Sequence, residues 1–92
     1  MNIGIIGSGY VGLVAAACFS EMGNTVTCVD VDVEKIKALK RGRVPIYEPG
    51  LETLVVNNFS KNHLIFTTEI IDALSTSEVV FIAVGTPTGD DG

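Results

Sequence analysis

The sequence predicts an α/β chain, an incomplete doubly wound parallel sheet of about four strands with flanking helices. Three observations carry that prediction. Short β-branched runs alternate with stretches of helical spacing, as in right-handed βαβ units. A glycine cluster, Gly7-Ser8-Gly9-Tyr10-Val11-Gly12, stands at the first passage from strand to helix. An aspartate, Asp30, closes the second strand. With 92 residues, 47% of them hydrophobic and only 18% charged, the chain is less polar than so short a domain ordinarily is. Residues 1–92 are therefore expected to be a piece of something larger, the N-terminal part of a dinucleotide-binding domain.

Asn2 to Ile6 is a short apolar run ending at a glycine, the pattern of a strand buried on both faces. Gly4 inside it points to a closely packed helix, and the next segment, Tyr10 to Met22, is Ala-rich, carries the single charge Glu21 and stops at Gly23. That helix is expected to be buried. Thr25 to Asp30 reads as the second strand. Asp32 offers an N-cap to a helix that carries Ile36 and Leu39 inward, turns Lys35, Lys37, Lys40 and Arg41 to solvent, and stops at Gly42. Pro45 and Pro49 stiffen the next connection, and Leu51, Leu54 and Val55 give helical spacing as far as Asn57-Asn58. Leu64 to Thr68 is the third strand, and Ile70, Ile71 and Leu74 mark a brief helix. Val79 to Val84, the least polar segment, reads as a central strand, in a sheet covered on both faces.

Six Lys and Arg against eleven Asp and Glu give a net charge of −5, which offers no basic face to a phosphate backbone, so nucleic acid is excluded as a partner. Val11 to Phe19 is too short to cross a bilayer and the start lacks the basic region of a secretory signal, so no membrane association and a cytoplasmic location are expected. Two cysteines, Cys18 and Cys28, and one histidine, His63, with no CxxC, suggest neither a disulfide framework nor a metal site. Both thiols are expected to be buried and reduced. His63 reads as a solvated loop residue.

The GxGxxG pattern gains its force from its position after a strand and before a helix. Gly7 makes the tight turn, Gly9 lets the backbone approach a pyrophosphate, and Gly12 lets helix and strand pack closely. The helix N-terminus then presents free N–H groups and a partial positive charge to the anion. Asp30, eighteen residues after Gly12 at the carboxyl end of the second strand, is placed to accept both hydroxyl hydrogens of an adenine ribose. Together these features predict a Rossmann-like NAD site with Gly7, Gly9, Tyr10, Gly12 and Asp30 as cofactor-binding residues. Lys35 is either a solvated helix charge or a group leaning over the adenosine side. Glu48 either lines the ligand crevice or caps the helix that follows Pro49.

The chain resembles the nucleotide-sugar 6-dehydrogenases, the UDP-glucose 6-dehydrogenase branch most of all. The likeness rests on the Gly7 to Leu13 turn, Val29-Asp30-Val31-Asp32 with Lys35-Ile36, Pro45-Ile46-Tyr47-Glu48-Pro49-Gly50-Leu51, and Phe81 to Pro87 closing on Asp91-Gly92. It implies that the parent enzyme oxidises the C6 alcohol of a UDP-sugar to a carboxylate in two hydride transfers to NAD, and is a homo-oligomer. It also implies that Val11 through its backbone, Asp30, Lys35 and Thr86 contact the cofactor. The family's catalytic thiol and its assisting lysine and aspartate lie downstream of such a segment, so no catalytic and no metal-binding residue is assigned here, and the chain alone is expected to be inactive. The competing reading is an NAD-sensing regulatory module of the kind that gates potassium transport, which shares the opening strand, glycine turn and aspartate. Such a module has no evident need for the Pro45 to Leu51 loop or for Gly85-Thr86-Pro87.

Overall fold

The computed structural model describes residues 1–45 and 47–83. Its elements run β1 (Asn2–Ile6), α1 (Tyr10–Glu21), β2 (Thr25–Val29), α2 (Val33–Lys40), α3 (Leu51–Ser60), β3 (Leu64–Thr67), α4 (Ile70–Thr76) and β4 (Val79–Ile82). The four strands form one parallel sheet in the order β3-β2-β1-β4. This is the incomplete Rossmann-like architecture the sequence predicts. The chain moves outward from β1 through β2 to β3 and then crosses back to β4, so the order reverses at β1, and ligands of open α/β sheets bind beside such a reversal.

Strand alternation sorts the side chains. Ile3, Val26 and Leu64 stand in register across three strands, and Ile5, Cys28 and Phe66 form the next row on the same face. All six are buried in one cluster with Leu13, Ala16 and Ala17 of α1, Ile36 and Leu39 of α2, and Leu51 and Val55 of α3. Phe81 continues the second row and stacks on Phe19 of α1 at 5.5 Å, while Phe59 of α3 stacks on Phe66 at 5.8 Å. Asn58, read from sequence as a helix stop, is instead buried inside α3, where its amide donates to Glu21 Oε1 at 3.0 Å and to the Leu54 carbonyl at 2.9 Å. Those bonds satisfy the buried amide and tie α3 to the end of α1.

Helices flank the sheet on both faces, as expected. Gly4, Thr27, Ile65 and Val80 share the opposite face, and among the described residues α4 packs across it, against β1 and β2. A Cβ on Gly4 would stand 2.7 Å from Ser77 Oγ and 3.2 Å from Ala73 Cβ, so the helix that Gly4 admits is α4 and not α1. Nor is α1 wholly buried, because Tyr10, Val11 and Cys18 are exposed. Among the described residues β4 stands at the end of the strand order, beside β1, and Val84, its expected last residue, lies outside them.

Among the described residues β4 is paired on one side only, and its Phe81 and Ile82 are exposed, as are Ile71 and Leu74 of α4. An apolar edge of this kind templates further pairing. The 92-residue chain by itself is therefore expected to self-associate at micromolar concentration, with Ile82→Lys reducing the association. Sedimentation velocity checks this, and a monodisperse monomer across a concentration series would show that the edge is protected.

Candidate functional site

The site is built where β1 ends. Gly7 has φ 108°, a backbone conformation L side chains rarely adopt, and its N–H donates to the Val29 carbonyl at 2.7 Å, which ties the turn to the end of β2. A Cβ on Gly12 would lie 2.0 Å from the Gly7 carbonyl oxygen, so the first turn of α1 rests directly on the glycine turn. Gly9 differs, being exposed with nothing within 4 Å of the position its Cβ would take. No side chain caps α1 and no acidic residue stands in its first turn. The N–H groups at this helix start have no partners within the helix and carry the positive end of its dipole.

Asp30 sits just past β2 beside that turn. Its Oδ2 accepts from the Ser8 N–H at 3.1 Å and from the Ser8 hydroxyl at 2.6 Å, and its Oδ1 accepts from the Asp32 N–H at 2.9 Å. Lys35 Nζ approaches Oδ2 at 3.6 Å from the first turn of α2. Burial by itself would push the Asp30 carboxyl up, but the Ser8 hydroxyl, the two backbone N–H groups and the Lys35 ammonium outweigh it and hold the group below its ordinary value of 3.8. Asp32 caps α2 as expected, its side chain accepting from the Lys35 N–H at 3.1 Å.

A cleft of about 310 Å³ opens between these groups, lined by Ile6, Gly7, Val29, Asp30, Val31, Thr68, Glu69 and Ile70. Its size falls in the range of small-molecule sites. Gly7 and Asp30 are thus brought together, with Lys35 at their margin. The wall made by Thr68, Glu69 and Ile70 was missed in the sequence, where the signal was present: a loop leaving the carboxyl end of a neighbouring parallel strand lines such a crevice. Ser8, the buried residue of the turn, was missed as well. Thr86 lies outside the described residues.

Glu48 does not cap a helix. α3 starts after Gly50, which has φ 83°, and the Glu48 carboxylate instead accepts from the Tyr10 hydroxyl at 3.2 Å. The Glu48 charge raises the Tyr10 pKa above its ordinary value of 10.0. Both border a second, apolar recess of about 540 Å³ between α1 and α3. Cys18 also borders it, exposed where burial was expected, while Cys28 is buried and its thiol is pushed up to about 12, by burial first and then by the Asp30 charge. His63 is half-buried, its backbone bonded to Asn58 and Val26. Among the described residues no three His, Cys, Asp or Glu side chains gather as a metal site, and no helix is long and apolar enough to cross a membrane.

The sequence profile of the UDP-glucose/GDP-mannose dehydrogenase family, NAD binding domain, matches residues 1–92. The chain is 54% identical over 92 residues to a UDP-glucose 6-dehydrogenase of Pseudomonas aeruginosa, covering 100% of this chain and 20% of that protein. Among solved structures it superposes with a TM-score of 0.93 at 44% identity on a GDP-mannose dehydrogenase of Pseudomonas aeruginosa seen in a ternary complex, covering 100% of this chain and 21% of that one. A UDP-glucose dehydrogenase from the archaeon Pyrobaculum islandicum gives 0.87 at 38% identity, covering 92% of this chain and 20% of that one. The chain therefore spans about a fifth of the length of these relatives. Matched along its whole length in sequence and sharing their fold, the chain belongs to the UDP-glucose/GDP-mannose dehydrogenase family, its residues falling in that family's NAD-binding domain.

Proposed function

We propose that the chain is the cofactor-holding part of a UDP-glucose 6-dehydrogenase, that residues 1–92 are the N-terminal portion of its dinucleotide-binding domain, and that the cofactor is NAD. The observation that carries the cofactor reading is the Asp30 carboxylate, held ionised within hydrogen-bond reach of the glycine turn at the rim of the cleft. The residues fit the group. Gly7 sets the turn, Gly9 leaves space where a side chain would otherwise stand, and the start of α1, at Tyr10, Val11 and Gly12, offers its N–H groups to a pyrophosphate. Asp30 accepts the ribose hydroxyls, with Lys35 beside it, and Thr86 joins them by family resemblance. When bound, NAD supplies the hydride acceptor for the sugar C6 alcohol.

UDP-glucose is favoured as the substrate by the 54% identity to an enzyme of that name, while the high superposition on a GDP-mannose enzyme sets the competing outcome. For the full-length protein carrying these residues, kcat/KM for UDP-glucose is expected to exceed that for GDP-mannose by at least about tenfold, roughly 1.4 kcal/mol of discrimination. A reversed ratio would assign the other sugar.

The 92-residue chain alone is expected to form no NADH from UDP-glucose and NAD. Cys28 is too buried and too weakly acidic to serve as a nucleophile, and among the described residues the charge lining the recess at Cys18 is that of Glu48, the wrong sign to favour a thiolate. NADH formation proportional to the concentration of highly purified chain would overturn this.

A further inference from the structure

Between Gly7 and Gly9 the turn carries one side chain, Ser8, and it is buried, with 1% of its surface accessible. Its N–H and its hydroxyl both donate to the same oxygen, Asp30 Oδ2. We propose that Ser8 is a positioning residue for the cofactor: by gripping Oδ2 from the turn, it orients the Asp30 carboxylate toward the ribose and so sets both the affinity for NAD and the preference over NADP. This rests on the reading of Asp30 as the ribose acceptor.

A carboxylate has about four acceptor positions. On Asp30, Oδ2 takes both Ser8 donors with Lys35 Nζ 3.6 Å away, while Oδ1 takes the Asp32 N–H. Lys35 reaches Oδ2 from the α2 side and is part-exposed, so by attraction alone it would draw the carboxylate toward solvent. The 2.6 Å Ser8 hydroxyl bond is the short one and opposes that pull. Without it Oδ2 keeps only the longer Ser8 N–H bond beside the Lys35 ammonium, so the carboxylate is held less firmly, a loss that falls on a ligand needing both oxygens in a set plane.

The charged and titratable groups around Asp30 are Lys35 on α2, Asp32 at the cap of α2, Glu69 in the loop before α4, and the Cys28 thiol in β2 beneath it. Removing the Ser8 hydroxyl withdraws one of the donors that keep the Asp30 pKa low, so Asp30 protonates at higher pH. The acid limb of NAD binding then moves to higher pH.

The test uses the full-length protein, titrated calorimetrically with NAD and with NADP at one ionic strength over a pH series. Ser8→Ala is expected to weaken NAD about five- to tenfold and NADP less than about twofold, and to move the acid limb upward. Ser8→Cys, of similar volume but a weak donor, is expected to match it. In an Asp30→Ala background, Ser8→Ala is expected to change NAD affinity less than about twofold, because its effect passes through Asp30. Equal losses for both cofactors with an unmoved acid limb, or the same loss in both backgrounds, would reduce Ser8 to a packing residue and overturn the proposal. A wild-type protein that binds no NAD would instead overturn the cofactor reading itself, and the role of Ser8 with it.

Discussion

Asp30→Ala in the full-length protein is expected to weaken NAD binding by about a hundredfold, the loss of two hydrogen bonds to a charged acceptor. It is also expected to shrink an NAD preference of at least about tenfold to about threefold or less. A 2′-phosphate would bring up to two negative charges against the carboxylate. At about 4 Å each unit pair costs roughly 1 kcal/mol in water and about 4 kcal/mol at a protein-surface dielectric. Lys35 acts the other way, but a hydrated, part-exposed ammonium recovers only on the order of 1 kcal/mol. In the native site that ammonium faces Asp30 Oδ2, so the substitution both removes the repulsion and frees Lys35 for the phosphate. Paired titrations of wild type and variant at one ionic strength check this. Equal wild-type affinities for NAD and NADP, or an unchanged ratio in the variant, would show that Asp30 is not at the ribose.

Gly12→Ala and Gly9→Ala are expected to fail in opposite ways, although both glycines belong to one short motif. The Gly12 Cβ would meet the Gly7 carbonyl oxygen at 2.0 Å, and that neighbour is backbone, so α1 must lift off β1. Overpacking of core side chains costs about 1–3 kcal/mol, and a backbone clash belongs at or above the top of that range. In a protein as long as the chain's relatives about 3 kcal/mol lowers Tm by only several degrees, less than the roughly 6–12 °C of a 150–250-residue domain. Gly9 has φ −71°, open to alanine, and its Cβ meets nothing. Gly9→Ala is therefore expected to keep Tm within about 2 °C, a change under about 0.5 kcal/mol, while weakening NAD at least about tenfold. Thermal melts and NAD titrations of the full-length variants separate the two. A destabilised Gly9 variant, or a Gly12 variant of native stability, would contradict the packing described.

What was legible in the sequence was local. β1 and the cap of α2 were readable because a strand run ending in glycine and an aspartate before a helix are set by neighbours a few residues away. Asp30 was readable because its spacing from the glycines is fixed by one βαβ unit. The misreadings arose where the deciding partner is remote. Gly4 meets Ala73 and Ser77, and nothing in Asn2 to Met22 distinguishes that neighbour from α1. Cys18 was misjudged because an Ala-rich helix presents little contrast between its faces, so its exposed side leaves no periodic trace. Ser8 was passed over because a serine among glycines is ordinary in turns, and its bond to Asp30 appears only when β1 and β2 lie side by side.

The pairing of β1 with β4 also bears on how the chain is made. Ile3 lies opposite Val79, so the first made of the four described strands waits for the last before its second edge closes. At about 5–20 residues per second that wait lasts several seconds or more. Through that interval β1 can pair only with β2, and Ile3, Ile5 and Ile6 are open to mispairing with other nascent chains. Gly4, present to admit α4 in the finished fold, meanwhile breaks that isoleucine run with a poor strand former. The glycine that admits α4 thus also serves as a gatekeeper in the earliest made of the four described strands.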